Sequence, residues 1–255
     1  MECIEEYFKI VADGYYLAAS KHIPEKGRPV IVFFHGFTGH RIETGRLYVD
    51  LARTLCNSGF ACVRFDYRGH GESPFSFEEF SLDWAFEDAE STVEYILNNM
   101  RNEVDVSRLG IIGFSLGGAV AIYIASKYPQ LVKTMALLAP ALSFRRIRDR
   151  LKTGIFQVKD GFAYFGAFRM RLENMLKMSE FDGLSLARRI KAPTLIVHCR
   201  DDNTIPYELS TEFYEKLAGE KKLILYNEGG HTFSNWHLRR TLEGELVKWF
   251  KDTLM

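Results

Sequence analysis

The chain predicts an α/β architecture, one domain over residues 1–255 built on a mostly parallel eight-stranded sheet with helices on both faces. Three observations carry this. Short apolar runs rich in β-branched residues alternate with stretches of helical periodicity, the pattern of a sheet buried on both faces. The alternation is entered through an antiparallel hairpin. It is interrupted once, by a long aromatic segment without a good strand of its own. A chain of 255 residues, 47% of them hydrophobic, can bury one substantial core, and one domain with an insertion suits it better than two.

Ile4 to Val11 and Tyr15 to Ile23 are extended segments separated by Asp13-Gly14, a strong hairpin signal. Pro24 to Pro29 reads as a turn, and the apolar run Val30 to Phe34 as a buried strand. Leu47 to Cys56 has helical periodicity that ends near Gly59, and Phe60 to Phe65 is the next strand. Trp84 to Met100 is a helix begun near Ser81 or Asp83, Arg108 to Ile112 a strand, and Ser115 to Lys127 a helix closed by Pro129. Strand Thr134 to Ala139, strand Thr194 to His198, helix Leu209 to Leu217, strand Lys222 to Tyr226 and a closing helix from Trp236 to Leu254 complete the order.

The interruption lies between Pro140 and Pro193, roughly fifty residues and well beyond a usual loop; segments of that length tend to be lids or binding elements. We expect a helical cap over residues 141–190. Its Phe156, Phe162, Phe165 and Phe168 are candidate substrate contacts, with Tyr164, Met170, Met175 and Met178 adding adaptable apolar surface. The plainer role for any one of them is to glue the insertion to the domain.

Lys plus Arg and Asp plus Glu each number 33, so the formal charge is zero and no nucleic-acid partner is indicated; a neutral small molecule fits better. The N-terminus lacks the pattern of a secretory signal, and no apolar stretch is long enough to span a bilayer. Cys3, Cys56, Cys62 and Cys199 are scattered without metal-type pairing, so reduced thiols in a cytoplasmic protein are the expectation. The basic run from Arg145 to Lys152 reads first as a solvated helix face and second as a contact for an anionic surface or a subunit. The cap aromatics could equally support a homodimer.

Chemistry concentrates at Gly113-x-Ser115-x-Gly117, directly after a buried strand and before a helix. A tight strand-to-helix turn projects a serine Oγ above the sheet edge, and the helix N-terminus beneath favours developing negative charge. Serine needs a general base, and the base a group that fixes its tautomer. Of seven histidines, His22, His35, His40 and His70 lie in early strands or turns, His198 ends a strand and His237 sits within the last helix. His231 lies in a loop after the last strand, where it can reach the carboxyl edge of the sheet at which ligands bind in open α/β folds. Asp201 and Asp202 follow the preceding strand; Asp202 is preferred from the Asp-x-x-Ile-Pro spacing, with Asp201 as the fallback. Backbone N–H groups of Phe37, after the His35-Gly36 turn, and of Leu116, after the nucleophile, are the candidate oxyanion donors; His35 itself reads as structural.

Taken together, Gly113-Phe-Ser115-Leu-Gly117, His35-Gly36-Phe37, Asp66-x-x-Gly69-His70-Gly71-x-Ser73, Asp202-x-x-Ile205-Pro206 and Gly230-His231 resemble the ordered motifs of the α/β-hydrolase superfamily, from near residue 28 to the C-terminus. Within it the chain looks most like small esterases of the cinnamoyl/feruloyl esterase and monoacylglycerol lipase type. The resemblance implies the α/β-hydrolase fold, a cap inserted after the sixth strand, and a structural rather than catalytic role for Asp66, Arg68, His70 and Ser73. It also implies hydrolysis of a small-molecule ester through an acyl-enzyme on Ser115, with His231 as base and Asp202 as acid, and no metal or cofactor. The rivals are acyl transfer, thioester or amide hydrolysis and carbon–carbon cleavage on the same triad, and a non-catalytic binding module.

Overall fold

The Asp13-Gly14 turn closes the expected hairpin: β1 (Ile4–Ala12) pairs antiparallel with β2 (Tyr15–Ile23), Ala12 facing Tyr15. The structure, a computed structural model, describes residues 3–154 and 156–255, without the side chains of Arg146 and Arg150. Then follow β3 (Arg28–Phe34), α1 (Leu47–Asn57), β4 (Ala61–Phe65), α2 (Leu82–Asn99), β5 (Val104–Phe114), α3 (Leu116–Lys127) and β6 (Val132–Leu138). The insertion contains α4 (Arg146–Lys152), β7 (Gln157–Lys159), β8 (Phe162–Phe165), β9 (Phe168–Arg171) and α5 (Leu172–Met178). The chain closes with β10 (Thr194–Cys199), α6 (Tyr207–Lys216), β11 (Lys221–Tyr226) and α7 (Trp236–Leu254).

Eight strands form one sheet in the order β1-β2-β4-β3-β5-β6-β10-β11, antiparallel where the hairpin enters and parallel from β4 onward. Along β3, Val30, Val32 and Phe34 enter one apolar cluster and Ile31 and Phe33 the other, as a period of two requires of a strand covered on both faces. Helices α2, α3 and α6 cover the first face; α1 and α7 cover the second. The carboxyl ends of β3, β5, β10 and β11 lie along one edge of the sheet, and Phe37, Ser115, Leu116, Asp202 and His231 each follow one of them.

Two expectations change. Cys3 and Cys56 form a disulfide, so the four thiols are not all reduced; Cys62 and Cys199 are free and buried. The pair is 53 residues apart in sequence, and only the docking of the N-terminal strand beside α1, where Arg53 Nη2 also meets Glu5 Oε2 at 2.7 Å, brings it together. The insertion is also not simply helical: β7, β8 and β9 make a separate three-stranded antiparallel sheet. Strands of three and four residues are too short to leave a legible alternation. Of the basic run, Arg148 Nε donates to Ser179 Oγ at 2.8 Å and Arg145 pairs with Asp182 at 3.5 Å; the side chains of Arg146 and Arg150 lie outside the described residues.

Candidate active site

Ser115 stands between β5 and α3 with φ 52° and ψ −117°, a conformation costly for a residue with a side chain. The turn closes because its neighbours lack one: a Cβ on Gly113 would lie 2.3 Å from Gly117 O, and one on Gly117 would lie 1.7 Å from Phe34 O. The nucleophile turn is thereby pressed against the end of β3, which carries His35-Gly36-Phe37. Ser115 is held from behind by its N–H to Leu138 O at 3.0 Å, while Ala141 N–H donates to Ser115 O at 2.8 Å.

His231 comes in from the loop after β11. Its Nε2 lies 2.9 Å from Ser115 Oγ and its Nδ1 2.7 Å from Asp202 Oδ2, with the ring packed on Phe114. Asp202 Oδ1 accepts the N–H groups of Thr204 at 2.7 Å and Ile205 at 2.9 Å. Burial alone would raise the Asp202 carboxyl; hydrogen bonds from His198 and His231 outweigh it and hold the group well below its ordinary range. Asp201 is placed otherwise. Its two oxygens accept the N–H groups of Gly229 and Gly230, so it shapes the histidine loop and does not touch the imidazole.

The candidate oxyanion donors sit on either side of the nucleophile. Leu116 opens α3, whose first N–H groups have no intrahelical acceptor. Phe37 follows Gly36, whose own N–H is taken by Glu43 Oε1 at 2.6 Å. Glu43 is buried, has φ 60° and ψ 165°, and burial pushes its carboxyl up. Arg239, on α7, donates to Phe233 O at 3.0 Å, Thr232 O at 3.2 Å and Thr44 O at 2.9 Å, tying the histidine loop to the loop that carries Glu43. Sequence reasoning missed Glu43 and Arg239, and no motif could have announced them: one works through an unusual backbone angle, the other through carbonyls far apart in the chain.

His35 is fully buried, its Nδ1 on Gly36 O and its Nε2 accepting the Tyr67 N–H, and burial drives its pKa down to about 3, as suits a structural group. The 66–73 turn is likewise structural: Asp66 binds Arg41, Arg68 binds Asp88, and Ser73 Oγ donates to Asp66 O.

The cap aromatics divide by strand face. Phe165 stacks on Phe37 with ring centroids 5.4 Å apart and also meets Phe156 at 5.6 Å; Phe168 packs on Phe77 at 4.8 Å. Phe162 pairs across the ladder with Arg171, and its ring lies under Arg169 and Arg171, on the face opposite Phe165. The structure therefore removes Phe162 from the group that borders Phe37.

A parallel sheet with a strained Ser–His–Asp chain at its carboxyl edge defines the class, and sequence comparison agrees: the profile of the alpha/beta hydrolase fold matches residues 29–172, more than half of the chain. The chain belongs to the α/β-hydrolase family. It is similar to the lysophosphatidylserine lipase ABHD12 of Danio rerio, 26% identical over 203 residues, covering 78% of this chain and 50% of the relative. It is also similar to the alpha/beta hydrolase domain-containing protein WAV2 of Arabidopsis thaliana, 27% identical, covering 93% of this chain and 73% of the relative. The chain spans about half the length of the ABHD12 relatives it matches. Among solved structures, Est1E of Butyrivibrio proteoclasticus with ferulic acid bound superposes with a TM-score of 0.84 at 24% identity, covering 96% of this chain and 98% of that one.

Proposed function

We propose that the protein is a serine-dependent carboxylic ester hydrolase. The observation that carries this reading is the unbroken chain Ser115 Oγ, His231 Nε2, His231 Nδ1, Asp202 Oδ2, with contacts of 2.9 and 2.7 Å. His231 takes the Ser115 proton as Oγ bonds to the ester carbonyl carbon, and the oxyanion lies between the N–H groups of Phe37 and Leu116. Collapse breaks the bond to the alcohol, which leaves with that proton. Water then attacks the acyl-enzyme, giving its proton to His231, and the acid departs as Ser115 is reprotonated.

Phe37, Phe156, Phe165 and Phe168 form an aromatic wall that suits an apolar or aromatic acyl group. The names of the relatives bring a lysophospholipid into the range of substrates to try. No described helix is long and apolar enough to cross a membrane. The Cys3–Cys56 disulfide favours an oxidising compartment over the cytoplasmic setting that reduced thiols suggested.

The test is hydrolysis of p-nitrophenyl esters from acetate to palmitate, methyl ferulate and lysophosphatidylserine by the wild type and Ser115→Ala. We expect turnover on part of this panel and a loss of about 10⁴-fold or more in the variant. Wild-type turnover that survives the substitution overturns the reading.

A further inference from the structure

The geometry points to His198 as a positioning residue for the triad acid: its ring shares Asp202 Oδ2 with His231 and so fixes the plane and charge distribution of that carboxylate. This rests on the triad proposed above. His198 is the fifth residue of β10, four positions before Asp202, and is fully buried. Its Nε2 lies 3.1 Å from Asp202 Oδ2 and 3.1 Å from Ile205 O. Both are acceptors, so Nε2 carries the proton. Its Nδ1 lies 2.8 Å from the hydroxyl of Ser210, itself buried on α6, which donates to it. Both ring nitrogens are thus committed, and the imidazole has one orientation.

The consequence falls on Asp202. Its Oδ1 holds two backbone N–H groups of its own loop, and its Oδ2 holds one imidazole from each side. The carboxylate cannot rotate without breaking a bond on each oxygen. Charge drawn toward His198 is charge not offered to His231, so the second imidazole moderates how strongly the acid stabilises the imidazolium formed in catalysis. Glu43 acts on His231 from the loop after β3, and Asp201 is turned to Gly229 and Gly230. Cys199, the next residue of β10, is a neutral thiol pushed up to about 12 by burial.

The test is the ¹⁵N NMR titration of the histidine rings in the wild type, His198→Leu, His198→Gln and Ser210→Ala, with thermal melts to establish folding. We expect the Nε2–H tautomer at His198 and a His231 midpoint raised by about half a pH unit in His198→Leu. His198→Gln, whose amide N–H can take the place of Nε2–H, restores the wild-type midpoint. If His198→Leu does not fold, Ser210→Ala, which only frees the ring, serves in its place with a smaller shift in the same direction. An unchanged midpoint in the folded variant, failure of Gln to rescue, or an Nδ1–H tautomer at His198 overturns the proposal. The titration uses no substrate, so a protein that cleaves no ester leaves this result standing and sinks only the reading of function.

Discussion

At the carboxyl edge of the sheet, Ser115 and Asp202 each retain 9% exposure, and every side chain of the triad is hydrogen bonded to the next. In the insertion, Phe168 retains 38%; Ala163, Met170, Met175 and Met178 join the main core, while Arg169 and Arg171 of β9 and Lys177 of α5 pair with Glu78, Glu79 and Asp83 on the surface. Exposed ion pairs of this kind contribute little each. The contrast separates two tasks. Ser115 and Asp202 follow strands buried on both faces, whereas the proposed substrate wall belongs largely to an insertion whose Phe156, Phe165 and Phe168 are only partly covered.

The largest effect that can break this division is expected at the acid. In Asp202→Asn one of the two oxygens becomes an NH2: with the amide oxygen kept for the Thr204 and Ile205 N–H groups, the NH2 faces both His198 and His231, and with the oxygen turned to the imidazoles it faces those two backbone donors instead. We expect kcat to fall by about 10³- to 10⁴-fold with little change in KM, measured by steady-state kinetics on the best ester of the panel. A loss no greater than that caused by a cap substitution would erase the distinction between the two regions.

The second effect concerns stability against pH. Burial lowers the pKa of His35 and His70 from 6.5 to about 3, and burial with the Arg64 charge lowers that of His22 to about 4. These groups stay neutral in the folded chain while the unfolded chain protonates below 6.5, so the unfolded state binds more protons and stability falls as pH falls from 6.5 toward 4. All three belong to the body; residues 141–190 contain no histidine. Urea unfolding midpoints should therefore decline across that range, and His35→Asn should reduce the slope. A flat profile would place acid sensitivity elsewhere.

What could be read in advance follows the same line. The sheet was legible because Val30 to Phe34 and Thr194 to His198 are continuous apolar runs, and α7 ends where its periodicity ends, at Leu254. The meeting of Ser115, His231 and Asp202 was legible because each follows a strand at the same edge. The meander β7-β8-β9 was not, since its register depends on pairings such as Ala163 with Met170 and not on local pattern. Nor was the Cys3–Cys56 pair, which tertiary approach alone creates. His198 was set aside as a residue ending a strand; its spacing of four from Asp202 was the available signal, but only the buried Ser210 and the shared Oδ2 give it meaning.

The smallest effect sharpens the comparison from the side of the cap. Phe165 stacks on Phe37 and touches Phe156, so Phe165→Ala removes part of the proposed wall while leaving Ser115, His231, Asp202 and both proposed oxyanion donors in place. Binding common to ground and transition states should weaken, raising KM more than it lowers kcat, with kcat/KM down about tenfold for long-chain or aromatic esters and less for acetate. Phe162→Ala is the internal control. Its ring lies between Arg169 and Arg171 on the far side of the same strand, and its loss should change kcat/KM by no more than about twofold. If Phe162→Ala proves the more damaging, the substrate meets the outer face of the small sheet, and the aromatic group around Phe37 is packing that holds the insertion down.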